Sequence, residues 1–464
     1  METPALETLV VAVIGGGPVG LAAAAHFLAR GVPVKVYEAG SEVGSNVRDW
    51  GHVRVFTPWR YCVDEAAIAL LKGHGWRAPG ADHYPTGAEL VRSYLEPLAA
   101  TPELASVIET NTRVTAISRK GVDKVVSYGR ETRPFVLAVA SKKGVRRDMA
   151  RAIIDASGTW TTPNPLGASG LPAVGEAEFT DRIAYGIPDV LGRDRHVYAG
   201  RKTLVVGSGH SAANALLELA ELAEAEPRTS FLWATRSTNL ARIFSGGDSD
   251  QLPARGELGT DVRALVDSGR VMLVTGFAAV TLRQENKGIV VEGETTDGQR
   301  TIGPVDRIIA ATGQRPDLSL TRELRLDLDP LLESTKALGP LIDPNVHSCG
   351  SVPPHGHQEL SHPEPGFYTA GIKSYGRAPT FLLLTGYEQV RSIAAAIVGD
   401  LAAADDVRLV LPETGVCSTR PETVASASAG CCGGSARANV DACCVADAVA
   451  KDLGKPGCGC EPAA

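Results

Sequence analysis

Leu9-Val10-Val11-Ala12-Val13-Ile14-Gly15-Gly16-Gly17-Pro18-Val19-Gly20 is the stretch on which the fold turns. Six apolar residues in a row are the pattern of a strand buried on both faces of a parallel sheet. Gly15, Gly17 and Gly20 follow in the G-x-G-x-x-G positions. The first lets the chain turn tightly, the second lets the backbone approach a pyrophosphate, and the third lets helix and strand pack closely. Residues 21–30 have a helical pattern that Gly31 ends. Val34-Lys35-Val36-Tyr37-Glu38 reads as the second strand, closing on an acid. Glu38 lies 18 residues beyond Gly20, close to the ~20 expected of a carboxylate that accepts ribose hydroxyls. Strand, loop, helix, strand and acid stand in order, which separates this loop from a plain glycine-rich turn.

The same grammar returns downstream. Thr203-Leu204-Val205-Val206 is a buried-strand run, and Gly207-Ser208-Gly209-His210-Ser211-Ala212 matches G-x-G-x-x-A. The pattern predicts a helix over 213–226, ended by Pro227, and a strand over 230–234. That strand runs into Thr235-Arg236-Ser237, with no acid. An acid there accepts the 2′-hydroxyl of NAD, whereas an arginine pairs with the 2′-phosphate of NADP. Arg236 thus points to NADPH, the other reading being a surface arginine. Two apolar runs ending in glycine, Ala152-Ile153-Ile154-Asp155-Ala156-Ser157-Gly158 and Arg307-Ile308-Ile309-Ala310-Ala311-Thr312-Gly313, read as the places where the chain passes between domains.

Composition narrows the class. A chain of 464 residues with 44% hydrophobic content supports several cores. A net charge of −7 and the lack of a basic stretch argue against nucleic acid as a partner. No run approaches the roughly 18 apolar residues of a membrane span, and Met1-Glu2-Thr3-Pro4 has no basic region of a signal peptide. The expectation is a cytoplasmic protein with no membrane association and no disulfide framework.

Gly15, Gly17, Gly20 and Glu38, then Gly207, Gly209, Ala212 and Arg236, then Ala311-Thr312-Gly313, together resemble the two-dinucleotide-domain flavoproteins. That superfamily includes thioredoxin reductases, glutathione-reductase-like enzymes and flavin-containing monooxygenases. The resemblance covers about residues 8–400. It implies an α/β fold with two Rossmann-like dinucleotide-binding domains, FAD on the first and NADPH on the second, the NADPH domain inserted in the FAD domain. The expected layout is 1–165 and 311–410 for the two parts of the FAD-binding domain, 166–310 for the NADPH-binding domain, and 411–464 for a low-complexity tail. Thr312 and Gly313 join the loop residues as cofactor-binding candidates. The resemblance leaves the oligomeric state open, a homodimer included.

The departures from the superfamily carry further information. Its disulfide reductases have a redox cysteine pair near the flavin, and no such pair precedes residue 417 here. Cys62 is alone and reads as a small core residue. The monooxygenase linker motif F-x-G-x-x-x-H survives only as Gly192 and His196, with Val190 in place of the aromatic. The reductase-type closing motif puts Asp after Ala370-Gly371, where this chain has Ile372. A long helix is expected over 380–398, stopped by Gly399-Asp400. Trp59 and Arg60 are candidate flavin-face residues, as a wall and as an anion partner; a packed Trp beside a surface Arg is the alternative. His355 and His357 have the spacing of a metal-ligating pair or of a solvated loop.

Seven of nine cysteines fall after residue 416. Cys431 and Cys432, Cys443 and Cys444, and Cys458 and Cys460 form close thiol pairs in a stretch poor in Leu, Ile and Phe. Thiolates are soft ligands for thiophilic ions, and the spacing is not that of a structural zinc site. The tail resembles thiol-rich tails of flavoproteins associated with arsenic resistance. Three readings stay open for it: metal or metalloid binding, a dithiol redox shuttle, and an unspecific thiol buffer. For the whole chain they translate into a flavin monooxygenase acting on a soft small-molecule or metalloid substrate, a flavin-dependent thiol or metal reductase, and a non-catalytic metalloid-binding protein.

Overall fold

The computed structural model describes residues 6–244, 252–346, 352–379 and 381–408. The tail cysteines lie outside the described residues, as does Cys349.

Two five-stranded parallel sheets organise the chain. The first has the order Phe367–Thr369, Ala152–Asp155, Val11–Ile14, Val34–Tyr37, Ile108–Glu109. The second has the order Met272–Val274, Ser230–Ala234, Lys202–Val206, Arg307–Ala310, Ile183–Tyr185. Both central strands are the apolar runs that precede the glycine loops, and each has all or nearly all of its residues buried. In each sheet the chain order reverses at that strand, which opens a crevice at its carboxyl end. The second sheet is built from residues 183–310, inside the interval between the fourth and last strands of the first. The second Rossmann-like fold is therefore inserted in the first.

Each sheet is covered by helices on one face and by a three-stranded antiparallel sheet on the other. On the first, the alanine-rich helix Pro18–Ala29 and the helix Leu383–Ile397 close one side, their apolar faces packed with Val11, Val13 and Val36. The hairpin sheet Thr112–Arg119, Phe135–Ser141, Gly144–Ala150 covers Ala12, Ile14 and Ile153 on the other. On the second, helices His210–Ala225 and Pro253–Asp267 face the sheet Ala278–Glu285, Gly288–Thr295, Gly298–Val305 across the strands. The alternation expected of these two hairpin sheets is broken by exposed residues along their strands. The turns of the second, Asn286-Lys287-Gly288 with Asn286 at φ 54° and Asp297-Gly298, are sequence signals for tight hairpins.

Element ends differ from expectation where glycine loops meet helices. The first helix begins at Pro18 and the second at His210, because Gly17 and Gly209 already serve as their N-caps. The helix expected over 380–398 runs from Leu383 to Ile397 and stops ahead of Gly399-Asp400 as expected, and a further turn, Leu401–Asp405, follows. Asp400 caps that turn by accepting the Ala403 N–H at 3.1 Å. Among the described residues no helix is long and apolar enough to cross a membrane.

Candidate functional site: two dinucleotide cradles and the seam between them

The first glycine loop is shaped by close backbone approach. Gly15 has φ +103°, and a Cβ there would lie 2.6 Å from the Ala156 carbonyl oxygen. A Cβ on Gly20 would lie 1.9 Å from the Gly15 carbonyl oxygen. Gly17 differs: its φ of −84° suits any residue, and a Cβ would meet no protein atom within 4 Å. Neither backbone strain nor packing demands glycine at 17, so the open space above it is what a pyrophosphate would fill. The helix that follows has no side-chain cap and no acid in its first turn. Its free N–H groups and positive dipole end face that space. Glu38 is 8% exposed. Its Oε2 accepts the Gly16 N–H and its Oε1 the Gly40 N–H, both at 2.7 Å. Each oxygen keeps a further acceptor position for a ribose hydroxyl. These residues fit FAD.

The second loop repeats the device. Gly207 has φ +138°, and a Cβ would sit 2.2 Å from the Ala311 carbonyl oxygen. Gly209 has φ −105° and open space above it. Ala212, in the first turn of the helix His210–Ala225, is fully buried. The helix again lacks a side-chain cap and a first-turn acid. Arg236 is exposed at the strand end and gives one N–H to the Ala168 carbonyl at 2.8 Å. The guanidinium has five donors, enough for a phosphate as well. These residues fit NADPH.

The two passages between the folds run side by side. The Asn164 N–H bonds the Gly313 carbonyl at 2.9 Å and the Arg315 N–H bonds the Thr162 carbonyl at 3.0 Å. The Thr312 hydroxyl donates to the Asn164 carbonyl at 2.7 Å, and Gly313 has φ +84°. Thr312 and Gly313 therefore stand in this crossing. At the seam, Phe56 of the first fold meets His210 of the second loop edge-on, with ring centroids 4.9 Å apart.

Other candidates separate. Trp59 is 5% exposed and packs in the first core. Arg60 is exposed and pairs with Asp82. His196 is exposed. His355 is buried, its Nε2 3.0 Å from the Gln389 amide, while His357 lies 2.9 Å from Asp405. Among the described residues no cluster of His, Cys, Asp and Glu is set to hold a metal. Cys62, the only cysteine among them, is fully buried. Burial pushes its thiol up to about 11, although the Thr57 hydroxyl favours the thiolate.

Sequence reading missed the polar core that ties the first cradle together. Lys373, just past Ile372, is buried and reaches Asp155 Oδ2 at 2.7 Å and Ser157 Oγ at 3.0 Å. The buried Gln389 accepts the Gly371 N–H at 2.9 Å and donates to Ser374 Oγ at 2.9 Å. The loop that loses the expected Asp is thus anchored from behind by an ion pair and an amide. Asp155 at the end of a buried strand was the available signal, since a buried carboxylate needs a partner.

A second missed pair lies at the seam. His52 Nε2 of the first fold is 3.9 Å from Glu218 Oε1 on the second-fold helix. It is buried with no hydrogen-bond partner among the described residues. Burial pushes the Glu218 carboxyl up to about 7, opposed by the Val190 N–H and helped by Asp189 and Glu221. Burial lowers His52, against Asp189 and Asp194 and with Arg193. Because the folded Glu218 value is raised, its contribution to stability is full below the unfolded value near 4.5 and is lost as pH climbs through 7. Glu218→Gln is therefore expected to match wild type in urea denaturation at pH 4.5 and to exceed it by about 2–3 kcal/mol at pH 8. An equal difference at both pH values would show that the carboxyl is not the titrating group.

Two Rossmann-like folds, one inserted in the other, each with an uncapped glycine loop at its switch point, define a protein with two dinucleotide sites. The profile of the pyridine nucleotide-disulphide oxidoreductase family matches residues 12–344. The chain belongs to that family, and with it to the oxidoreductases that use FAD and NAD(P)H. A ferredoxin–NADP reductase from Streptococcus equi subsp. zooepidemicus is 27% identical over 220 residues, 47% of this chain and 53% of the relative. The chain thus spans about half the length of the curated relatives it matches. Among solved structures, the bacillithiol disulfide reductase from Bacillus cereus has a TM-score of 0.62 at 18% identity, covering 84% of this chain and 99% of that one. The ornithine N-hydroxylase from Kutzneria sp. 744 has 0.57 at 16%, covering 85% and 99%. A flavin-containing monooxygenase from Stenotrophomonas maltophilia has 0.52 at 21%, covering 84% and 98%. All three share the fold.

Proposed function

We propose that the protein is an FAD- and NADPH-dependent monooxygenase acting on a soft thiophilic substrate, trivalent arsenic or an organoarsenical, captured by the C-terminal cysteines. One observation carries this reading: before residue 417 the chain has only Cys62 and Cys349, and Cys62 is fully buried with its thiol held protonated. Such a thiol is not a nucleophile at neutral pH and relays no electrons. The body therefore lacks the dithiol that a flavin-to-disulfide relay needs. When bound, FAD supplies the redox chemistry, with two electrons from NADPH and one atom of O₂ going to the substrate while the other leaves as water.

The chain's own residues bind and orient. The helix starting at Pro18 takes the FAD pyrophosphate and Glu38 its ribose. The helix starting at His210 takes the NADPH pyrophosphate and Arg236 the 2′-phosphate. The tail thiols hold a trivalent arsenic centre and raise its local concentration through the tether. Replacing Arg236 by Gln is expected to lower kcat/KM for NADPH by about 10–100-fold while leaving NADH nearly unchanged, since a charge-assisted contact is worth about 1.5–3 kcal/mol.

A second reading is a flavin-dependent thiol or metal reductase with the tail cysteines as electron acceptor. The family description and the fold likeness to a bacillithiol disulfide reductase favour it. NADPH and oxygen consumption, followed together with and without arsenite in the full chain and in a chain cut at residue 411, separates the two. Arsenite-stimulated oxygen uptake that weakens without the tail supports the monooxygenase. NADPH oxidation without oxygen uptake, dependent on tail thiols, supports the reductase and overturns the first reading.

A further inference from the structure

Phe56 is held firmly by the first fold yet left out of its core. Val55 and Trp59 on either side of it pack in the first core, whereas among the described residues Phe56 belongs to none of the hydrophobic clusters. Its ring is half-buried. The backbone around it is fixed. The Val55 N–H donates to the Pro85 carbonyl and the Gly87 N–H to the Val53 carbonyl, both at 2.9 Å. Beyond it Thr57 is buried, and the Trp59 N–H donates to the His83 carbonyl at 2.9 Å. Core filling therefore does not account for an aromatic residue at this position.

What Phe56 does meet is the second cradle. Its ring lies edge-on to His210, with centroids 4.9 Å apart and planes at 62°. His210 is the first residue of the second-fold helix, directly after the N-cap Gly209, and the space above Gly209 is free of protein atoms. The same first-fold segment touches that helix again about two turns on, where His52 Nε2 is 3.9 Å from Glu218 Oε1. Residues 52–56 thus lie along the helix, with Phe56 at its phosphate-binding end. An edge-on pair leaves at least one face of each ring unclaimed by the other. A dinucleotide whose pyrophosphate rests on the helix N-terminus and whose 2′-phosphate lies at Arg236 has its other half still to place. Electrons reach the first cradle only if that half extends toward the first fold. Phe56 is the first-fold aromatic residue standing there, and a flat ring suits a planar heterocycle.

Given NADPH at the second loop, as assigned above, we propose that its site is completed by the first fold: Phe56 is a binding residue for the nicotinamide half, and His210 holds the Phe56 ring in place. A site contained within one Rossmann-like fold would need nothing from residue 56.

The test is calorimetric titration of the full-length, oxidised, FAD-loaded protein with two probes. One is NADP⁺; the other is adenosine 2′,5′-bisphosphate, which lacks the nicotinamide half. Phe56→Leu keeps apolar bulk and removes the ring. It is expected to weaken NADP⁺ by about three- to tenfold and to leave the bisphosphate unchanged. Phe56→Tyr keeps the ring and should bind both probes as wild type does. Arg236→Gln should weaken both, by about tenfold or more, because both carry the 2′-phosphate. Phe56 lies outside the cores, so the thermal midpoint of Phe56→Leu should hold. Wild-type NADP⁺ affinity in Phe56→Leu overturns the proposal and leaves the NADPH assignment standing. Equal weakening of both probes in that variant also overturns it, since the residue would then only shape the fold. If neither probe binds wild type saturably, the NADPH assignment falls and the proposal with it.

Discussion

Lys373→Met is expected to destabilise the first fold by about 3–5 kcal/mol, the cost of stranding a buried charge. The side chains of Lys373 and Asp155 are 2% and 1% exposed. Asp155 spends its other oxygen on Ser157, accepting from the hydroxyl at 2.6 Å and from the N–H at 3.2 Å. Removing the ammonium leaves a carboxylate with no water and no cation. The damage should reach the FAD cradle, because the Asp155 carbonyl accepts the Ala370 N–H at 2.9 Å and the next carbonyl, Ala156, abuts Gly15. Urea denaturation of apo and FAD-loaded protein measures both consequences. The double variant Lys373→Met/Asp155→Asn should regain most of the loss, because no unpaired charge remains. A single-variant cost under about 1 kcal/mol would mean that water reaches the pair.

Gly17→Val and Gly20→Ala should fail in opposite ways. At Gly17 the backbone is extended and the space above it is free of protein atoms. The valine variant should fold with an unchanged apo thermal midpoint and lose FAD affinity by roughly a hundredfold, about 2.7 kcal/mol, since its side chain takes the pyrophosphate's place. At Gly20 a Cβ meets the Gly15 carbonyl at 1.9 Å. That variant must move helix against strand, and overpacking of this kind costs about 1–3 kcal/mol before any cofactor is added. Thermal melts of the apo-proteins, paired with FAD titration by flavin fluorescence quenching, separate the two effects. If Gly17→Val binds FAD as wild type does, the first cradle is misassigned.

Much of this architecture is written in local sequence. A strand buried on both faces must be continuously apolar, and a loop that lets a phosphate approach must be glycine-rich, so both central strands and both cradles are legible as short words. Ala152–Asp155 and Arg307–Ala310 are legible for the same reason. The hairpin sheets are less so, because their strands Thr112–Arg119 and Gly144–Ala150 expose many residues and interrupt the apolar pattern. The thiol-rich tail is legible only as composition.

What governs reactivity and coupling lies elsewhere. Lys373 and Asp155 are 218 positions apart, and Glu218 and His52 are 166 apart. Nothing in the local sequence of any of these residues marks its partner. A carboxylate's pKa depends on who removes its water, and a donor's availability on who fails to claim it. Both are properties of packing between distant segments. The chain's local chemistry thus set the two nucleotide folds and their loops, whereas the buried ion pair and the titrating seam exist only because the fold brings remote residues together and shuts out solvent.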